Sequence, residues 1–163
     1  PTNASVIWKP SAGSTMDPKL PGDFKEFLSL LRSHGVDYLL IGGYAVAFYG
    51  YPRATGDMDI WIAVSPENAD RVFETVREFG FDTPDLAPSL FLHEKGMVRM
   101  GYPPLRIEIL TNISGVTFEE CFARRVDAVI DGVEVSVISR ADLKTNKQAS
   151  GRYKDLMDLE FLS

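Results

Sequence analysis

A short apolar run at residues 36–41 stops at Gly42-Gly43, and soon afterwards comes the alternating run Asp57-Met58-Asp59-Ile60-Trp61-Ile62. No other feature restricts the fold as much. By the two-residue period of a strand, Met58, Ile60 and Ile62 point one way, and Asp57, Asp59 and Trp61 point the other. A strand cannot stand alone, because its backbone groups need partners and its apolar face needs cover. Residues 36–41 supply one expected neighbour, and further strands expected at 97–100 and 105–110 supply others. The chain therefore builds a sheet with one apolar face and one face that carries carboxylates.

The remaining pattern is helical around that sheet. Phe24, Phe27, Leu28, Leu30 and Leu31 fall at helical spacing, with Asp23 expected as N-cap and His34-Gly35 as the stop. A short helix is expected at 44–49. A longer one runs to about Phe79, with Ser65 as N-cap, Pro66 at the first helical position and Gly80 at the end. Residues 82–96 are looser and carry two prolines and His93. A helix at 118–124 precedes two strands around Asp131-Gly132, a hairpin signal, and two helices at 140–149 and 153–162 meet at Gly151. The order predicts an α/β (α+β) fold, a small mixed β-sheet flanked by helices, with C-terminal helices. Residues 1–22, rich in Pro, Ser, Gly and Thr, read as a flexible N-terminal extension or a segment foreign to the native chain; residues 23–163 form the domain.

Composition removes several function classes. The 163 residues include one cysteine, Cys121, which makes neither an internal disulfide nor a thiolate zinc site. A reducing, cytoplasmic setting is expected. No apolar run approaches the ~20 residues that span a bilayer, so no membrane partner is expected. With Lys+Arg 17 against Asp+Glu 23, the net charge of −6 argues against a sequence-independent duplex DNA binder. It leaves room for a phosphate ligand held locally.

Asp57 and Asp59 are like charges side by side, costly unless something positive lies between them, and a divalent metal is the usual answer. Glu108 lies in Arg106-Ile107-Glu108-Ile109-Leu110, which alternates the same way. If that strand pairs beside the Asp57 strand, three carboxylates converge, enough for two hard cations that clamp an in-line phosphoryl displacement. Alternating acids are common on solvated strands, so the pair gains meaning only from the third acid and the glycines. At Gly42-Gly43 the backbone can approach a ligand closely, and the amides of a following helix attract an anion; a plain tight turn is the alternative. Neither the P-loop nor the complete dinucleotide-binding glycine pattern is present. His34 reads as a helix cap, His93 lacks a second histidine, and Cys121 reads as buried and inert. Trp61, Tyr44 and Tyr49 either border a site or pack.

Leu40-Ile41-Gly42-Gly43-Tyr44-Ala45 followed by Arg53-Ala54-Thr55-Gly56-Asp57-Met58-Asp59-Ile60 resembles the signature of the DNA polymerase β-like nucleotidyltransferase superfamily. Glu108 matches its third acid. The segment from Lys147 through Gly151-Arg152-Tyr153-Lys154-Asp155-Leu156-Met157-Asp158 resembles small bacterial members, among them AbiEii-like toxins and stand-alone minimal nucleotidyltransferases. The resemblance implies the nucleotidyltransferase fold, ATP or another NTP as donor, two Mg2+ ions (Mn2+ as a substitute), and transfer of an NMP to an acceptor hydroxyl with pyrophosphate release. It implies catalytic and metal-binding roles for Asp57, Asp59 and Glu108, and nucleotide-binding roles for Gly42, Gly43, Arg53, Thr55, Lys147 and Arg152. From 140 to 154 five cations face one acid, against the trend of the chain. Asp155 and Asp158 read as salt-bridge residues that orient Arg152. The acceptor stays open among an RNA end, a protein and a small molecule. The alternatives are a non-catalytic or partner-regulated component of a toxin–antitoxin pair, with a cognate antitoxin or a homo-oligomer as partner, and an antibiotic nucleotidyltransferase.

Overall fold

A computed structural model describes residues 5–7, 20–50 and 56–162. Along the chain these form β1 (Ser5–Ile7), α1 (Gly22–Ser33), β2 (Tyr38–Ile41), α2 (Gly42–Phe48), β3 (Asp57–Ile62) and α3 (Pro66–Phe79). A single 3-10 turn, Pro88–Phe91, leads to β4 (Met97–Met100), β5 (Arg106–Leu110), α4 (Phe118–Ala123), β6 (Val126–Ile130) and β7 (Val133–Val137). The chain closes with α5 (Arg140–Ser150) and α6 (Tyr153–Leu162). The strands make one mixed sheet in the order β1-β6-β7-β2-β3-β5-β4. β2 is antiparallel to β3, β5 is parallel to β3, and β4 is antiparallel to β5. The expected mixed sheet flanked by helices is the fold observed.

The alternation in β3 works as its sequence implies: Met58, Ile60 and Ile62 are fully buried, while Asp57 and Asp59 are only partly so. Trp61 shares the acidic face yet is buried further along, its ring edge-on to Phe118 of α4 at 5.2 Å. α1 and α3 meet through Phe27 and Phe79, 5.1 Å apart, and Phe24, Phe27, Leu28 and Leu31 are all fully buried. Each such side chain is worth about 1.5–3 kcal/mol.

Local chemistry sets the ends. Ser65 Oγ accepts from the Asn68 amide, Pro66 starts α3, and Gly80 closes it at φ 116°. Asn68 itself is buried and clasps two strands: its Oδ1 accepts from Asp37 N at 2.8 Å, and its Nδ2 donates to Asp37 O and Ala63 O. The hairpin turns at Asp131 and Gly132, φ 50° and 81°, as a two-residue loop with both central residues left-handed requires. β1 pairs with β6 inside the stretch expected as a flexible extension, β2 starts at Tyr38 instead of Val36, and two helix starts differ from expectation. α1 starts at Gly22 with Pro21 as cap, leaving Asp23 inside the first turn, where its charge still favours the helix dipole. α2 starts at Gly42, two residues early, because the glycines enter the helix instead of preceding it.

Candidate active site

The register lines up one row across four strands. Ile41 at the end of β2 stands opposite Asp59 on β3, Asp59 opposite Glu108 on β5, and Glu108 opposite Arg99 on β4. One step along, Asp57 stands opposite Arg106. Paired residues project from the same face, so the three expected carboxylates converge without any loop rearrangement. They line an open cleft of about 540 Å3, together with Gly42, Gly43, Arg99, Arg106 and the α5–α6 residues Lys147, Arg152 and Lys154.

Gly42 explains why the turn demands glycine. Its φ is +68°, and a Cβ there would lie 2.2 Å from Oδ2 of Asp59. The first glycine is thus a space left for a carboxylate, and any side chain would displace it.

Charge in the cleft is balanced from within. Arg106 donates to Asp57 through Nε at 3.2 Å and Nη2 at 2.9 Å, and its Nη2 also lies 3.2 Å from Glu108 Oε1. Arg99 Nε donates to the same Oε1 at 3.2 Å. Asp59 is left out of this pairing: its Oδ1 is buried and has no hydrogen-bond partner. Burial, reinforced by Glu108 and Asp57, pushes the Asp59 carboxyl up to about 7. With Arg106 lying between Asp57 and Glu108, no three acids of the described residues are drawn together as a ready-made cation cage. The donor set nonetheless fits hard cations: three carboxylates on one face, one with an orphaned buried oxygen whose missing partner a divalent ion would supply.

The other expected site residues divide. Gly43 is buried in the first turn of α2, beside the cleft. Arg152 lies on the rim, 64% exposed, its Nε donating to Asp155 at 2.7 Å. Lys147, matched to the nucleotide by resemblance, is buried; its ammonium lies 3.0 Å from Asp155 and 3.1 Å from Asp158. Its charge is spent inside the α5–α6 junction, so it shapes the wall of the cleft. Arg152, Lys147 and the Ser150 hydroxyl hold the Asp155 carboxyl far below the usual range. Arg53 and Thr55 lie outside the described residues.

Sequence reasoning assigned no role to Arg99 or Arg106. The signal was present for Arg106, which precedes Glu108 by two residues and so shares its face. Arg99 becomes legible only when β4 pairs with β5 in register. Lys154, one of the five cations between 140 and 154, also lines the cleft. Tyr44 packs edge-on against Phe24 at 5.5 Å, and the Tyr49 hydroxyl donates to Ile138 O, so both serve packing.

No curated protein matches the chain. Among solved structures, a candidate nucleotidyltransferase from Thermotoga maritima superposes with a TM-score of 0.52 at 18% identity, over 85% of this chain and 87% of the other. That likeness establishes the fold. A family model described as "nucleotidyl transferase of unknown function (DUF2204)" matches residues 22–163, all of the sequence beyond the composition break. With the glycine turn, the acidic strand pair and the shared fold in agreement, the chain belongs to this nucleotidyl transferase family.

Proposed function

We propose that the cleft transfers a nucleoside monophosphate from an NTP to an acceptor hydroxyl, releasing pyrophosphate, in a Mg2+-dependent reaction for which Mn2+ substitutes. One observation carries the reading: Asp59 and Glu108 stand in register on adjacent strands with Asp57 two residues away, and Asp59 keeps a buried oxygen without a partner. Bound at these carboxylates, Mg2+ would supply Lewis-acid stabilisation of the attacking and leaving oxygens.

The chain's own groups do the rest. Glu108, at the acceptor end of the carboxylate row, takes the hydroxyl proton as the acceptor oxygen bonds to the α-phosphorus. The bond from that phosphorus to the bridging oxygen breaks, and its electron pair leaves with pyrophosphate. Backbone amides at Gly42 and Gly43, where α2 begins beside the carboxylates, face the triphosphate. Arg152 and Lys154 on the rim meet its outer charges. Arg106 keeps Asp57 and Glu108 turned to the same side. The segment from Lys147 to Asp158 supports kinship with the small AbiEii-like bacterial type.

The test is incubation with Mg2+ and α-labelled NTPs, read as label transfer and pyrophosphate release. Wild type turns over, and Asp57→Ala falls by at least ~10³-fold, as expected when charge stabilisation of a phosphoryl transfer is lost. Wild-type protein that neither binds Mn·NTP nor releases pyrophosphate refutes the reading.

A further inference from the structure

Arg99 stands at the far end of the cross-strand row, with Glu108 and Asp59 between it and the glycine turn. Its side chain is 57% exposed, and among the described residues Glu108 is the carboxylate it meets. That carboxylate does not need it. Arg106 already lies 3.2 Å from the same Oε1. Two guanidiniums share one oxygen, and Arg99 is the more exposed of the two. A divalent ion held at Glu108 would set like charge beside Arg99, whose long, exposed side chain has room to turn outward.

We infer that Arg99 then binds a phosphate carried beside the acceptor's hydroxyl, so that the cleft selects acceptors bearing a phosphate next to the reacting oxygen. The inference rests on the nucleotidyl-transfer reading and adds the chemical class of the acceptor. Order along the row carries it. On that reading the triphosphate belongs at the Gly42 end, where α2 begins next to Asp59. Arg99 stands on the opposite side of Glu108 from Asp59, which is the acceptor side on the nucleotidyl-transfer reading. Met97 and Leu110, which line the same side of the cleft, bring no charge to compete for it. A guanidinium edge takes two phosphate oxygens as a pair, which fixes orientation as well as affinity. No covalent bond is made or broken at Arg99; the exchange is of Glu108 for phosphate as its partner.

Binding of a fluorescein-labelled hexaadenylate RNA, followed by anisotropy, tests this in the full chain. Loading with Mn2+ and α,β-methylene-ATP, which cannot transfer its nucleotide, tightens RNA binding at least ~10-fold over protein in EDTA, the worth of one charge-assisted pair. Arg99→Gln loses that gain, Arg99→Lys recovers part of it, and Arg77→Gln, remote from the cleft, keeps it. Displacement of the RNA by millimolar glucose 6-phosphate, with glucose inert, assigns the clamp to small phosphorylated acceptors; resistance assigns it to a polynucleotide end. Equal loaded affinities of Arg99→Gln and wild type overturn the inference, as does loaded wild type that binds neither RNA nor glucose 6-phosphate. In both cases intact Mn·nucleotide binding leaves the transferase reading standing. Wild type that fails to bind Mn·α,β-methylene-ATP takes both down.

Discussion

Asp59 is the residue on which the cleft turns, and its neighbours hold it in a costly state. Between pH 4 and 7 the folded protein keeps a proton on this carboxyl that the unfolded chain, with its ordinary value of 3.8, has already released. The stability from the protonated, buried form is therefore complete below about pH 4 and drains away as pH rises through 7. Asp59→Asn should flatten this slope and raise the melting temperature of the metal-free protein at pH 8, while abolishing Mn2+ binding. A variant that melts with the wild-type pH profile contradicts the assignment. A cation competes with that proton, so wild-type affinity for Mn2+ should climb through pH 7. Gly42→Ala tests the same carboxylate from the other side. Its Cβ would meet Asp59 Oδ2 at 2.2 Å in a left-handed backbone. A loss of about 1–3 kcal/mol in urea unfolding is expected, with Mn2+ affinity reduced at least ~10-fold. Unchanged metal binding would mean that the glycine serves only the turn.

At the scale of elements, α5 and α6 are joined by a buried cation. Lys147 sits between Asp155 and Asp158, all three almost wholly out of solvent. Lys147→Met removes the buried cation from between two buried carboxylates and should cost about 3–5 kcal/mol of unfolding free energy. A Lys147→Met protein as stable as wild type that no longer binds nucleotide would make Lys147 a direct ligand instead. The same residue marks how far the sequence can be read. The periodicity of 57–62, the Ser65-Pro66 start, the Asp131-Gly132 turn and the Glu108 strand are local patterns, and each fixes its element unaided. Lys147 and Arg152 looked alike there, two cations in a basic stretch. Tertiary packing separates them, because α6 folds back and delivers two acids to one and leaves the other at the rim. Arg99 was hidden for a related reason: its partner is nine residues away, and only strand pairing brings them together. The start of α2 escapes the sequence because helix signals treat glycine as a boundary, whereas Gly42 and Gly43 open the helix here.

Taken whole, the molecule is acidic, yet its cleft is not, for Arg99, Arg106, Lys147, Arg152 and Lys154 line it beside three carboxylates. A ligand that arrives as a metal–nucleotide complex brings both signs of charge and so meets little net repulsion. Binding should therefore register as global stability: Mn·α,β-methylene-ATP at about a hundred times its dissociation constant adds roughly 2.7 kcal/mol to wild type, read as a rise in melting temperature, and nothing to Asp59→Asn. A rise of equal size in Asp59→Asn would place the nucleotide elsewhere.

The sheet order has a consequence for how the chain comes to life. β4 is made before β5, but β5 must slot between β3 and β4. A growing chain thus holds Asp57 and Asp59 on β3 well before the strand that unites them with Arg99 exists. The rest of the cleft follows later still, when the chain reaches Lys147, Arg152 and Lys154, so one wall is laid down by strand insertion and the other by the last two helices.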